Sequence, residues 1–139
     1  PAKLNTLTLP GPTGESNQLT RFGRGTVLCL GPSAEHLTSQ ARAVRAAGCW
    51  PVTVGPDGAD VSGVLPPEHL TDLTNIDAVV SWSSEQHLRA LRVALAQRVG
   101  AIVPLICDCD LGPRLHLERH VCIDTTAAGG NATLLANVT

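Results

Sequence analysis

Hydrophobic positions change period along this chain, and the changes mark its elements. In the middle, short continuous apolar runs alternate with stretches of helical spacing. Thr26 to Gly31 (TVLCLG) is unbroken, as expected of a strand covered on both faces. Ser33 then offers a helix cap; Leu37, Ala41, Val44 and Ala47 fall on one helical face, and Gly48 ends it. Trp50 to Val54 predicts a second strand, with Pro51 weakening it or placing it near an edge. A loop rich in Gly, Asp and Pro follows. Pro66 or Pro67 opens a short helix that includes Leu70 and Leu73. Asp77 to Trp82 predicts a third strand. Ser83 or Ser84 caps a helix whose stripe is Leu88, Leu91, Leu95 and Val99, and Ala101 to Ile106 predicts a fourth strand. This alternation implies parallel strands with right-handed helical crossovers, a three-layer α/β fold.

The two ends have period two. LNTLTL and NQLTRF, from Leu4 and Asn17, are strand-like and flank PGPTGES, where Pro10, Gly11, Pro12 and Gly14 require a turn. Leu115 to Ile123 alternates strictly. Leu115, Leu117, Arg119, Val121 and Ile123 share one face; His116, Glu118, His120 and Cys122 share the other. This half-exposed strand is expected to pair with the N-terminal arm outside the parallel sheet, and such an arm suits a partner strand or second subunit.

Composition narrows the function. The 139 residues suit one domain, and a net charge of −2 gives no footprint for nucleic acid or an anionic membrane. With one Phe, two Trp and no Tyr there is no aromatic platform for single strands. No apolar run reaches the roughly 20 residues of a membrane span. Five cysteines read as reduced thiols. Asn131 and Asn137 head glycosylation-type triplets, but no secretory signal accompanies them, and a cytoplasmic location is expected. The absence of methionine suits excision from a longer protein.

Three chemistries can be weighed on the residues. A dinucleotide fingerprint needs three glycines at a strand-to-helix turn. After the first core strand the chain has GPSAEH, where Gly31 stands alone and Pro32 removes a donor. After the third it has WSSEQH, where Glu85 opposes a phosphate. For metal, Cys107, Cys109, His116 and His120 give C-x-C and H-x-x-x-H. On a strand the two histidines lie about 13 Å apart, too far for one ion, so ordinary thiols and surface imidazoles are expected. For nucleophilic catalysis, Cys29, Cys49 and Cys122 lack any visible thiolate-favouring setting. Near the end, Gly129 and Gly130 permit close approach by another chain, and Asn131 can cap a turn holding Leu134 and Leu135; a docking peptide and a frayed terminus remain alternatives on these residues.

LPGPTGESNQLT (from Leu9), the strand GTVLCLG and the terminal TTAAGGNATLL (from Thr125) together resemble the C-terminal part of the proline utilization A family, over about Leu9 to Leu135. Members are bifunctional flavoenzymes, with an FAD-dependent proline dehydrogenase and an NAD-dependent glutamate γ-semialdehyde dehydrogenase. The resemblance implies a non-catalytic domain shaped as a degenerate aldehyde dehydrogenase nucleotide domain. Its plan is an N-terminal β-arm (1–25), a Rossmann-like core (26–112), a flap strand (113–124) and a docking motif (125–139). It implies no catalytic, cofactor or metal residue here, with FAD and NAD held elsewhere in the parent. Thr125, Thr126, Ala127, Ala128, Gly129, Gly130, Asn131, Ala132, Thr133 and Leu134 would dock against a dehydrogenase domain of the same or a neighbouring chain and help seal a channelling cavity. An NAD-binding dehydrogenase fragment and a module self-associating through the flap are the other readings. Residues beyond Asp124 are expected to be extended, mobile or held by a neighbour.

Overall fold

A computed structural model describes residues 1–124 and places their strands in two sheets. The motif at Thr125 to Leu134, and the expectation of an extended or mobile tail, lie outside the described residues.

The first sheet contains β3 (Thr26–Leu30), β4 (Trp50–Gly55), β5 (Val61–Ser62), β6 (Ala78–Ser81) and β7 (Leu105–Ile106). Every pairing in it is parallel, and the spatial order is β5-β4-β3-β6-β7. The chain steps from β3 to β4 in one direction and then returns to place β6 on the other side of β3. Two helices make the main crossovers: α1 (Ala34–Ala46) before β4 and α2 (Glu85–Ala96) before β7. Alternation along the strands sorts the core into two layers. Val27, Cys29, Ala78 and Val80 pack with Leu37 and Val44 of α1. Leu28, Leu30, Val54 and Val79 pack with Leu88, Leu91 and Ala94 of α2. A strand with helices on both sides has no polar face, which is why these runs are continuous.

Ser33 caps α1 by accepting from His36 N, and Ser84 caps α2 by accepting from His87 N. Gly48 ends the first helix with φ +70°, a conformation glycine adopts without strain. Trp50 N donates to Gly25 O, so the next nitrogen, that of Pro51, faces the side where β4 has no partner at that level. β5 reaches only Val54 and Gly55, leaving Pro51 on a locally open edge.

Three details depart from the sequence reading. Val99 lies past the end of α2 and is 98% exposed; Ala94 takes the buried position instead. The fourth strand shrinks to Leu105 and Ile106, and Ile102 stands in solvent because Gly100, at φ +100°, turns the chain before the sheet is reached. Leu115 belongs to a 3₁₀ turn (Gly112–Leu115) and is fully buried in the α1-side core, so it anchors the following strand rather than sharing its open face.

The second sheet is antiparallel, in the order β1 (Lys3–Leu9), β2 (Glu15–Gly23), β8 (His116–Asp124). The expected pairing of the late strand with the N-terminal hairpin is present, with Leu117 opposite Phe22, Val121 opposite Gln18 and Ile123 opposite Ser16. The turn between β1 and β2 uses Gly14 at φ +88°. Every residue of β8 after His116 is exposed, as is nearly all of β1. The flap joins the core at its base, where Arg24 N donates to Leu115 O at 2.9 Å and the Cys49 thiol donates to the same carbonyl at 3.5 Å.

Candidate functional site: the cleft at the carboxyl edge of the parallel sheet

In open α/β sheets, ligands settle outside the carboxyl ends of the strands where the strand order reverses. Here that point lies between β3 and β6, under the segments Gly31–Ser33 and Trp82–Ser84. Helix α1 packs closely under the first of these segments. A Cβ on Gly31 would stand 2.9 Å from Leu37 N and 3.0 Å from the Leu37 side chain. A Cβ on Gly55, at the end of β4, would collide with Leu37 Cδ1. Both glycines therefore admit a leucine from the first turn of α1.

The helix N-termini are committed as well. Ser33 Oγ lies 2.7 Å from His36 Nδ1 and accepts from His36 N at 3.3 Å. The His36 ring meets Trp82 edge-on at 5.7 Å, and Trp82 Nε1 donates to Asp108 O at 3.0 Å. Trp82 thus bridges the start of α1 and the loop after β7. On α2, Glu85 occupies the first turn, where Arg92 Nη1 donates to its Oε1 at 2.7 Å. Ser83 Oγ lies 2.8 Å from the fully buried Ser81 Oγ.

At this edge an open cleft of about 580 Å³ remains, walled by Leu30, Gly31, Pro32, Val54 and Leu65, with Asp57, Ser83 and His87 among its polar groups. It shares Val54 and Gly63 to Leu65 with an apolar cavity of about 330 Å³ lined by Leu28, Val52, Val61, Leu73 and Ile76. The loop between β4 and β5 is braced from within. Asp60 Oδ2 accepts from Thr53 N at 2.8 Å and Thr53 Oγ1 at 2.7 Å, and these bonds hold its carboxyl below the usual range.

The candidate chemical residues are scattered. Cys29 is buried in β3, and desolvation pushes its thiol up to about 12. Cys49 is buried at the base of the flap; Cys107 is half-buried, and Cys109 and Cys122 are exposed. Desolvation, with a hydrogen bond to Glu15 second, raises the Cys122 thiol, the opposite of what a nucleophile needs. His116 and His120 sit on β8 opposite Gly23 and Leu19. Among the described residues no group of three or more His, Cys, Asp or Glu is placed to hold a metal, and no helix is long and apolar enough to cross a membrane. Two residues went unread in the sequence. Asp57 follows β4 immediately in a Gly-Pro-Asp-Gly turn, a signal that spacing after the first strand could have supplied. Gln40 is fully buried with neither end of its amide paired, and nothing in its local pattern announced that.

No protein-family model matches the chain. The bifunctional protein PutA of Escherichia coli (strain K12) is 34% identical over 143 residues, covering 91% of this chain. The chain matches a small part of PutA. It spans about 11% of that relative's length. A solved structure of PutA with proline bound in remote sites agrees at a TM-score of 0.61 and 30% identity, over 73% of this chain and 13% of that one. An aldehyde dehydrogenase from Brucella melitensis biovar abortus 2308 matches at a TM-score of 0.55 and 18% identity, over 67% of this chain and 25% of its own. The core is therefore a Rossmann-like sheet of the aldehyde dehydrogenase kind, and its sequence is that of a PutA segment.

Proposed function

We propose that the chain is a non-catalytic accessory domain of a cytoplasmic enzyme that oxidises proline to glutamate. In that role it covers the dehydrogenase domain and helps seal the cavity through which the intermediate passes. The observation that carries the reading is the missing dinucleotide fingerprint at the two strand-to-helix turns. Leu37 occupies the space at Gly31 and Gly55, Pro32 offers no N–H, and Glu85 stands in the first turn of α2. A dinucleotide diphosphate does not fit those residues. FAD and NAD then belong to the rest of the enzyme, and this domain's contribution is surface. Its flap supports that: β1 and β8 are exposed along nearly their whole length, and the middle strand β2 is mostly half-buried, so the sheet gains little from a core of its own.

Thr125 to Leu134 would be the docking element, against a dehydrogenase domain of the same or a neighbouring chain. The exposed flap also favours a second reading, self-association through β1 or β8.

The test is a chimera of the Escherichia coli protein in which this chain replaces the matching segment. Truncating it after Asp124 should cut the rate of NADH formation from proline by about tenfold or more, the scale of misplaced catalytic geometry. An unchanged rate and unchanged lag would sink the proposal. Light scattering on the chain alone decides the second reading: a monomer at all concentrations removes it.

A further inference from the structure

The open cleft at the carboxyl edge of the parallel sheet is not featureless. We infer that it is a site for a nucleoside without phosphate, held at the ribose by Asp57 and at the base by the apolar wall behind it. This inference stands apart from the accessory-domain reading, because it concerns only the cleft.

The placement of Asp57 comes first. It lies just beyond β4, the second strand of the β3-α1-β4 unit, and is exposed on the lip that the 580 Å³ cleft shares with a cavity beside α1. In nucleotide-binding sheets an acidic side chain at this point accepts hydrogen bonds from ribose hydroxyls. Among the described residues Asp57 has no ion pair, whereas its neighbour Asp60 is spent on Thr53. The walls come second. Leu30, Val54, Val64 and Leu65 offer flat apolar surface to a base, and the adjoining 330 Å³ cavity extends that surface down the sheet with no charged residue in its lining. His87 and Ser83 stand on the opposite rim and supply polar atoms for the base edge.

The phosphate side comes third, and it is hostile. The Ser33 and Ser84 side chains take backbone N–H groups at the two helix starts, Pro32 supplies none, and Glu85 adds negative charge. The ribose half of a nucleotide site is present and the diphosphate half is missing. The preference should therefore be the reverse of the fold's usual one, with adenosine above ADP and ADP above or equal to NAD.

The experiment is a titration of the 139-residue chain, followed by amide chemical shifts, with adenosine, ADP and NAD in turn. Adenosine should give saturable shifts confined to the cleft, at Gly31, Gly55, Asp57 and Gly63, and ADP and NAD should bind at least about tenfold more weakly. Asp57→Asn, at an exposed position that the fold does not use, should weaken adenosine about tenfold, the loss of a hydrogen bond to a charged group. Four results would overturn the inference: no adenosine shifts up to its solubility, shifts centred outside the cleft, ADP or NAD binding as tightly as adenosine, or unchanged affinity in Asp57→Asn. None of these bears on the truncated chimera, so the two proposals can fail separately.

Discussion

The parallel core and the flap are built on opposite terms. In the core, Val27, Leu70, Ala78, Val79, Val80 and Leu91 are wholly buried. In the flap, Leu7, Leu117, Val121 and Ile123 keep 38% or more of their surface in water, although each lies in a paired strand. Both regions are paired sheets, so pairing alone does not explain the difference. What differs is whether a second layer covers the side chains. Helices close both faces of the core, and nothing described closes either face of the flap. The core closes on itself, whereas the flap's outer strands stay open to water.

The largest effect should come from the core. Leu91→Ala, at the centre of the α2-side layer, should cost about 2–5 kcal/mol in denaturant unfolding, because it removes packed methyls and leaves a cavity. Val121→Ala in the flap should cost less than about 0.5 kcal/mol in the chain alone. If the two costs were equal, the contrast would be broken. Gly31→Ala comes next, at about 1–3 kcal/mol, since its new methyl would press on the Leu37 backbone nitrogen as well as on the buried Leu37 side chain. Arg21→Ala should cost no more than about 1 kcal/mol: its 2.9 Å pair with Glu118 is exposed on both sides.

Two finer effects concern protons. The Asp60 carboxyl has its folded value below the ordinary 3.8, so its contribution is complete above 3.8 and is lost as pH falls through the lower folded value. Asp60→Asn should flatten the fall in stability over that acid range and leave the slope near neutrality unchanged. The thiols should divide by burial. With Cys29 near 12, its thiolate at pH 8 amounts to about one part in ten thousand, so iodoacetamide should spare it in the native chain and label the exposed Cys109. Rapid labelling of Cys29 would mean that β3 opens.

Much of this architecture was readable from periodicity, and the limits are instructive. The runs around Val27, Val52 and Val79 announced strands, the first of them unbroken because both its faces are covered, and Ser33 and Ser84 announced helix starts because capping is local. Val99 and Ile102 misled because an apolar residue continues a helical or strand pattern on paper, although α2 has ended at Ala96 before Val99 and Gly100 has turned the chain before Ile102. The candidate site was legible on its negative side only. Missing glycines and Glu85 were visible in the string; that Leu37 fills the space at both Gly31 and Gly55 is a contact across different elements. The cleft holding Asp57 likewise depends on three strands and a helix meeting at one edge.

Hydrogen exchange compares the two regions most directly. It should be followed in the chain alone and in the Escherichia coli chimera that carries it. The account predicts that amides of β3, β4 and β6 are equally protected in both, while those of β1, β2 and β8 become protected only in the chimera, where a partner covers the flap. Flap amides already protected to the level of the core in the isolated chain, with no gain in the chimera, would contradict it.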